Sequence, residues 1–200
     1  MAKVRDRGMP PSEQSDGYFN PAAILEALDC RDLSGDIVEF GCGYGTFTVS
    51  AAARTHALLY ALDIDPAMVA VTTERVVAAR VRNVVVAERD FVRDGCGRPD
   101  SSAHYAMLFN ILHFEDPTTL LAKARRVLVP GGRVNVIHWR DDVATPRGPP
   151  LDIRPRPAQC QSWARTSGLV PSAPLKLAGA PWHWGMVLRR LWGTRTVDPR

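Results

Sequence analysis

Short apolar segments alternate with helix-forming segments along most of this chain. Five apolar runs are expected to be strands: 36–40, 56–62, 83–87, 105–111 and 133–139. Alanine-rich or proline-initiated segments between them predict helices over 46–54, 66–80 and 116–128. Strands joined by crossover helices pair in parallel, and nearly continuous apolar strands are typical of a sheet covered on both faces. The sequence therefore predicts an α/β fold, a Rossmann-like, doubly wound and mostly parallel sheet with helices on both faces.

Further elements are predicted before and after these alternating strands and helices. A helix is predicted over 21–28, after an N-terminal arm of residues 1–20. Five prolines between residues 140 and 158 exclude a helix interior and indicate a long loop above the carboxyl ends of the strands. A helix over 158–166 and two closing strands, 174–177 and 183–188, complete a single domain spanning residues 1–200.

Composition narrows the class of protein. The 200 residues carry a net charge of +4, and all but three of the 25 basic residues are arginines, which leaves an acidic partner open. No apolar run is long enough to span a bilayer, and the N-terminus lacks the apolar core of a secretory signal. The four cysteines are scattered without zinc-ligand spacing, so we expect reduced thiols, no metal site and a cytoplasmic location.

A glycine-rich loop lies where the first strand turns into the first crossover helix. It reads Glu39-Phe40-Gly41-Cys42-Gly43-Tyr44-Gly45. Glycines remove the side chains that would keep a ligand from the backbone. Asp63 ends the next strand, where an acidic residue can accept hydrogen bonds from ribose hydroxyls. This pairing predicts a ligand that contains adenosine.

Glycine spacing separates two kinds of adenosine ligand. The dinucleotide fingerprint is GxGxxG, whereas here the third glycine is Gly45 and a carboxylate, Glu39, precedes the first glycine by two residues. A pyrophosphate would be repelled by this carboxylate, but a ligand with an ammonium group would be attracted to it. The pattern therefore favours a ligand with an ammonium group.

With this E/DxGxGxG loop the chain resembles the class I methyltransferases, whose seven-stranded domains use S-adenosylmethionine and release S-adenosylhomocysteine. Four further segments over residues 21–139 are similar to family motifs: 61–68, 88–91, 108–113 and the turn Arg126-Val127-Leu128-Val129-Pro130-Gly131-Gly132-Arg133. The sequence departs from the family at His104, where an aspartate is usual, and at Arg89, where a small residue is usual.

The resemblance implies roles for individual residues. Asp63 would bind the ribose, Ile64 would lie against the adenine, and Asp90 would meet the adenine amino group. Asn110 would lie near the methionine moiety. The full set implied to bind cofactor is Glu39, Gly41, Cys42, Gly43, Tyr44, Gly45, Asp63, Ile64, Asp90, Phe91 and Asn110.

Substrate residues are expected at the same edge of the sheet, within residues 138–156. His113 and His138 follow or end the fourth and fifth strands, and an imidazole titrates near neutrality, so either is a candidate proton acceptor. A histidine at the end of a strand is, however, more often a structural residue. An anionic substrate would suit the arginines of the proline-rich loop, and Tyr18 is a candidate lid residue; these candidates are Arg147, Arg154, Arg156 and Tyr18.

The sequence thus predicts an enzyme that methylates a small molecule by in-line displacement, which requires alignment more than a dedicated catalytic group. The arginines leave an anionic molecule open as the acceptor. Two alternatives stay open. The arginine content leaves an RNA substrate possible, although no recognition motif is present. A protein that binds the cofactor without catalysis is the other. Arsenite methylation is disfavoured because Cys30 and Cys42 lie away from the substrate edge.

Overall fold

The parallel sheet expected from the sequence is present in the computed structural model, which describes residues 17–31, 33–113 and 115–192. The strands are β1 (Asp36–Phe40), β2 (Leu59–Asp63), β3 (Val84–Glu88), β4 (Ala103–Phe109), β5 (Leu128–Trp139), β6 (Val170–Pro171), β7 (Leu175–Lys176) and β8 (His183–Arg189). The helices are α1 (Pro21–Ala27), α2 (Thr48–Ala52), α3 (Pro66–Ala78), α4 (Phe91–Asp94), α5 (Pro117–Val127) and α6 (Pro157–Thr166). Most of the predicted N-terminal arm lies outside the described residues.

The strand order across the sheet is β3-β2-β1-β4-β5-β8-β6, and β7 also pairs with β8. Neighbours among β1 to β5 run parallel, while β8 is antiparallel to β5. The order reverses between β1 and β4, so the loops that leave these two strands diverge and open a crevice at their carboxyl ends. The predicted fold class is confirmed, and the crevice is where this fold binds ligands.

Helices cover both faces of the sheet. On one face the side chains of α5 and α6, such as Leu121 and Cys160, pack on Val38 and Val136. On the other face α1 and α2 pack on the sheet through residues such as Ile24. The interiors of these strands are apolar on both sides for this reason. None of the described helices is long and apolar enough to cross a membrane.

Some boundaries differ from the sequence prediction. Strand β4 ends at Phe109 instead of 111 because Asn110 leaves the extended conformation with a φ of 58°. Strand β5 begins at Leu128 because this residue already pairs with Ala103 before the register shifts. Strand β6 and helix α4 were not predicted, since two and four residues are too few for a period to show.

Many arginines hold the chain together by donating to backbone carbonyls. Arg54 donates to the carbonyl oxygens of Cys30 (2.9 Å) and Ala22 (2.8 Å), and so ties helix α1 to the end of α2. Arg154 donates to the carbonyls of Pro149 (2.8 Å) and Arg140 (2.7 Å) inside the proline-rich segment. Part of the arginine surplus therefore satisfies backbone acceptors in helix α1 and in loops.

The packing of helices on both faces of the sheet leads to a prediction about stability. Leu121 is fully buried between α5 and the sheet, so Leu121→Ala removes apolar contacts and leaves a cavity. We expect a loss of about 2–5 kcal/mol in the free energy of unfolding, measured by urea denaturation. Val77→Ala, at a side chain that is 69% exposed on α3, is the control and should stay within about 0.5 kcal/mol of the wild type. Equal losses in the two variants would contradict this core assignment.

Candidate active site

The glycine loop leaves β1 in a conformation that side chains resist. Gly41, Gly43 and Gly45 have φ angles of 77°, 54° and 71°, in the left-handed region that favours glycine. The space is also restricted, because a Cβ on Gly41 would lie 3.1 Å from Cγ2 of Ile111 and one on Gly45 would lie 3.0 Å from Oγ1 of Thr72. The loop therefore lies close against the segment after β4 and against helix α3.

Asp63 holds this loop to the end of β2. Its side chain is 7% exposed, and its Oδ2 accepts the backbone N–H of Gly43 at 2.9 Å. Its Oδ1 accepts the N–H of Asp65 at 3.0 Å, and Thr72 donates its hydroxyl to the carbonyl of Gly43 at 2.8 Å. The structure thus brings together the loop and the acidic residue that the sequence paired, and the carboxylate oxygens keep lone pairs for further donors.

Glu39 lies beneath the same loop. Its carboxyl group is 4% exposed and accepts the hydroxyl of Thr48 at 2.6 Å. Burial, together with the neighbouring charge of Asp63, raises the pKa of Glu39 to about 8. A cation near this carboxyl group would favour its ionised form, as the sequence argument for an ammonium ligand requires. The sequence did not predict a role for Thr48, because this residue meets Glu39 only after the loop has turned the chain into helix α2.

The segment after β3 carries the residues that the resemblance implies for adenine. Asp90 caps α4 by accepting the N–H of Arg93 at 2.9 Å, which occupies part of its carboxylate. Phe91 is buried, edge-on to Phe40 with ring centroids 5.6 Å apart. Arg89 donates its Nε to the carbonyl of Gly95 at 2.6 Å, so this charged side chain folds into the following loop.

The other implied cofactor residues lie around the loop. Ile64 and Tyr44 are half-buried at the carboxyl edge, directly after β2 and within the loop. Cys42 is 6% exposed, its side chain packs in the core, and burial raises the pKa of its thiol. The side chain of Cys42 therefore belongs to the core.

Asn110 has the features of a ligand-binding residue at the end of β4. It has a φ of 58°, which is uncommon for a residue with a side chain and is found often at functional sites. Its backbone N–H donates to the carbonyl of Ile137 at 2.8 Å. Its buried Oδ1 has no hydrogen-bond partner within the described ranges. A buried acceptor left without a partner fits a site that is completed by a ligand donor.

His113 and His138 come together at the neighbouring strand ends. Nδ1 of His113 lies 3.4 Å from Nε2 of His138, and the ring of His138 stacks with Trp184 at a centroid distance of 6.3 Å. His138 is fully buried, whereas His113 is half-buried. Burial lowers the pKa of both imidazoles, and it lowers the pKa of His138 further than that of His113. Both rings are therefore neutral near pH 7.

The candidate substrate residues are distributed around this edge. Tyr18 packs edge-on against Trp139 and Trp182, with centroid distances of 5.9 and 5.6 Å. Arg156 pairs with Asp141 at 3.1 Å, and Arg147 is exposed. The guanidinium of Arg154 lies over the ring of Trp139 as well as on the loop carbonyls. Where the structure describes the chain, no three His, Cys, Asp or Glu side chains are grouped to hold a metal ion.

Comparison with known proteins agrees with this geometry. A family model described as a methyltransferase domain matches residues 37–132. The fold is similar to that of an S-adenosylmethionine-dependent methyltransferase from Aquifex aeolicus, with a TM-score of 0.78, 18% identity, and coverage of 91% of this chain and 94% of that chain. The fold is that of the class I S-adenosylmethionine-dependent methyltransferases.

Two further relatives differ in what they are named to act on. The chain is 38% identical over 115 residues to a ribosomal protein L11 methyltransferase of Methylococcus capsulatus, a match that spans 56% of this chain and only 36% of that relative. It is also similar to geranyl diphosphate C-methyltransferase of Streptomyces coelicolor A3(2), solved with S-adenosyl-L-homocysteine. There the TM-score is 0.68 at 14% identity, covering 86% of this chain and 76% of that one.

The residues of this site fit S-adenosylmethionine. Asp63 offers buried carboxylate oxygens beside the glycine loop, and Asn110 offers an Oδ1 that has no partner among the described residues. Glu39 offers a buried carboxyl group that a cation would ionise. The bound cofactor supplies an electrophilic methyl group on a sulfonium sulfur.

The Asp63 carboxylate generates the first prediction for this site. Asp63→Ala removes both the acceptor for ribose and the bond that fixes Gly43, so we expect S-adenosylmethionine affinity to fall by about 100-fold, since bonds to charged acceptors contribute roughly 1.5–3 kcal/mol each. Isothermal titration calorimetry measures this. Glu74→Ala, at an exposed carboxylate on α3, is the control. Unchanged affinity in Asp63→Ala would refute the assigned role.

Glu39 generates a prediction about protons. In the ligand-free protein a pKa of about 8 keeps the carboxyl group largely protonated at pH 7. An ammonium group lowers that pKa, so binding at pH 7 should release about one proton. The release is measured by calorimetry in buffers of different ionisation enthalpy. It should disappear in Glu39→Gln and, for the wild type, above pH 9. Release that persists in Glu39→Gln would assign the proton to another group.

Proposed function

We propose that this protein transfers the methyl group of S-adenosylmethionine to a small-molecule acceptor by in-line displacement. The observation that carries the proposal is the continuity between two sets of residues. The glycine loop at Gly41 contacts Ile111, and two residues further on His113 meets His138. The glycine loop and the two histidine side chains are thus neighbours on one edge of the sheet.

The strand order supports an orientation for the reaction. The implied ribose ligand ends β2, the loop follows β1, Asn110 follows β4, and His138 lies near the end of β5. Adenosine above β2 and methionine above β1 and β4 would direct the methyl group toward the ends of β4 and β5. The acceptor would therefore occupy the space bounded by His113, His138 and the segment from 138 to 156.

The protein's part in the chemistry is alignment and exclusion of water. Trp139 and Trp184 are buried at the end of β5 and the start of β8, and their rings shield the acceptor side from solvent. Holding acceptor, methyl and sulfur in line replaces a bimolecular encounter with an oriented one, which supplies much of the rate. His113 and His138 are neutral and are placed to accept a proton that the acceptor loses.

A small acceptor is supported by the compactness of the edge. All eight strands of the described residues join one sheet, and the proline-rich segment is tied down through Arg154 beside Trp139. Tyr18 packs against the same Trp139 from the N-terminal side. These contacts pack the proline-rich segment and the aromatic rings together at this edge, which favours a compact acceptor.

A protein acceptor is the second candidate. It is favoured by the 38% identity to a ribosomal protein L11 methyltransferase, although the match covers 36% of that relative. Such a substrate would have to be recognised by surfaces outside the matched segment. We place it behind the small-molecule acceptor because Tyr18 packs against Trp139 and Trp182 at this edge.

An acceptor assay tests the proposal. The purified protein and S-adenosylmethionine are incubated separately with a small-molecule panel, with ribosomal protein L11 and with RNA, and S-adenosylhomocysteine is quantified by mass spectrometry. We expect product with small molecules and at least a 100-fold lower rate in Asp63→Ala, because the cofactor is then poorly held. Product with L11 or RNA alone would replace the proposed substrate class. Cofactor binding without product from any acceptor would indicate a non-catalytic binding protein.

A further inference from the structure

We propose that this protein forms a symmetric dimer in which strand β3 pairs antiparallel with β3 of a second copy, so that the two sheets become one. The surface lies away from the crevice, because β3 ends the strand order and β2 and β1 separate it from β4. Three properties of this strand carry the proposal: its free edge, the phase of its hydrogen bonds and the charges on either side of it.

The two edges of the sheet are protected unequally. At the far edge, β6 and β7 have two residues each and include Pro171 and Lys176. Short strands, proline and lysine are common means by which a protein prevents a second chain from adding to its sheet. Strand β3 has five residues, reads VVVAE, and pairs with β2 without a bulge. It therefore presents a regular edge to which another strand can add.

Hydrogen bonding to β2 fixes which residues of β3 face outward. The carbonyl of Asn83 accepts the N–H of Leu59 at 2.8 Å, and the N–H of Arg89 donates to the carbonyl of Asp63 at 2.6 Å. Alternate residues of a parallel strand bond to the same neighbour, so the odd-numbered residues from 83 to 89 turn their backbone groups toward β2. The outward backbone groups, which have no partner strand among the described residues, are those of Val84, Val86 and Glu88.

Two-fold symmetry makes the pairing antiparallel, and the phase of the hydrogen bonds limits its register. Both copies of a symmetric dimer use the same surface, so the two β3 strands meet in opposite directions. Outward backbone groups must face outward backbone groups, which allows only registers in which the numbers of two opposed residues have an even sum. The register centred on Val85, which is 41% exposed, places Val84 opposite Val86 of the second copy.

The charges beside β3 match in the same register. Arg82 lies two residues before the strand, Glu88 ends it, and both side chains are exposed. With the pairing centred on Val85, Arg82 of each copy lies opposite Glu88 of the other, which gives two ion pairs across the contact. A shift by one allowed step places Arg82 opposite Asp90 or Val86 instead. Of these three registers, only the one centred on Val85 also sets all three valines of β3 opposite valines.

Side chains on one face of the sheet continue across the contact. Val85 is opposite Tyr60 of β2, and the guanidinium of Arg98 lies over the Tyr60 ring at 4.1 Å. In the dimer the two Val85 side chains adjoin at the symmetry axis, and a Tyr60 ring flanks each of them. Cross-strand pairs of aromatic and β-branched residues stabilise a sheet. Because a single strand edge is a small interface, the dimer dissociates in the micromolar range.

Sedimentation velocity tests the dimer directly. Over a concentration series from about 1 to about 200 µM, we expect the weight-average mass of the protein to rise toward twice the monomer mass. Val86→Pro removes an outward N–H that β2 does not use, so it should keep the far-ultraviolet circular dichroism and raise the dissociation constant at least about tenfold. A wild type that is monomeric throughout the series, or a folded Val86→Pro that dimerises normally, would overturn the proposal.

Charge reversal tests the register without altering the backbone. Arg82→Glu and Glu88→Arg each set like charges opposite one another, so each variant alone should dimerise about tenfold more weakly than the wild type. A mixture of the two variants should recover a heterodimer, because every opposed pair is then of opposite sign. Asp152→Arg, at an exposed carboxylate of the proline-rich segment, is the control with the same change in charge. No weakening in the single variants, or no recovery in the mixture, would refute this pairing.

A cysteine at the symmetry axis tests the geometry. Opposed residues of a non-hydrogen-bonded antiparallel pair have Cα atoms about 4.5 Å apart, within the range of a disulfide, so Val85→Cys should form a covalent dimer in diamide on a non-reducing gel. The four native cysteines are buried. Val170→Cys, at a valine 46% exposed on the far edge, is the control and should stay monomeric. Equal cross-linking of the two variants, or of neither, would contradict the proposal. None of these measurements involves S-adenosylmethionine, so their failure leaves the proposed function untouched.

Discussion

The carboxylate of Asp63 accepts the backbone N–H of Gly43, and the candidate cofactor site depends on this hydrogen bond. A loop with three left-handed glycines has little intrinsic stiffness, because glycine pays the largest backbone entropy on ordering. Asp63 fixes it from the adjacent strand, and Thr72 fixes it from α3. The buried carboxylate in turn needs backbone donors to offset its desolvation. Loop and strand end therefore stabilise each other at the crevice.

The same edge leaves other buried polar atoms unsatisfied. Asn110 Oδ1, His113 Nε2 and His138 Nδ1 have no partner among the described residues, and Asn110 holds a strained backbone conformation. Such features cost stability and persist where the surrounding fold over-determines them. Asn110 and His113 follow β4, and His138 lies near the end of β5. Arg98 Nε and Asn135 Oδ1 are also without a partner among the described residues, so such atoms are not confined to this edge.

The arginines have a structural role that the composition did not reveal. A chain whose basic residues are nearly all arginine invites a search for an acidic partner. In the fold, Arg54 and Arg154 close loops by donating to carbonyls, and Arg156 meets Asp141. Planar guanidinium groups with five donors suit this task, since one side chain serves several acceptors. The pattern of charges along the chain did not contain this information, because the fold decides which carbonyls each guanidinium reaches.

The sequence by itself determined the alternation of strands and helices, the glycine loop and its pairing with Asp63, because these depend on local periodicity and on the conformations only glycine adopts easily. It also placed His113 and His138 near the carboxyl ends of two neighbouring strands. Only the tertiary structure decided that the two rings meet, that Thr48 lies under Glu39, and that Arg154 serves the loop. Such contacts join side chains whose spacing follows no period, since strand order and register bring them together.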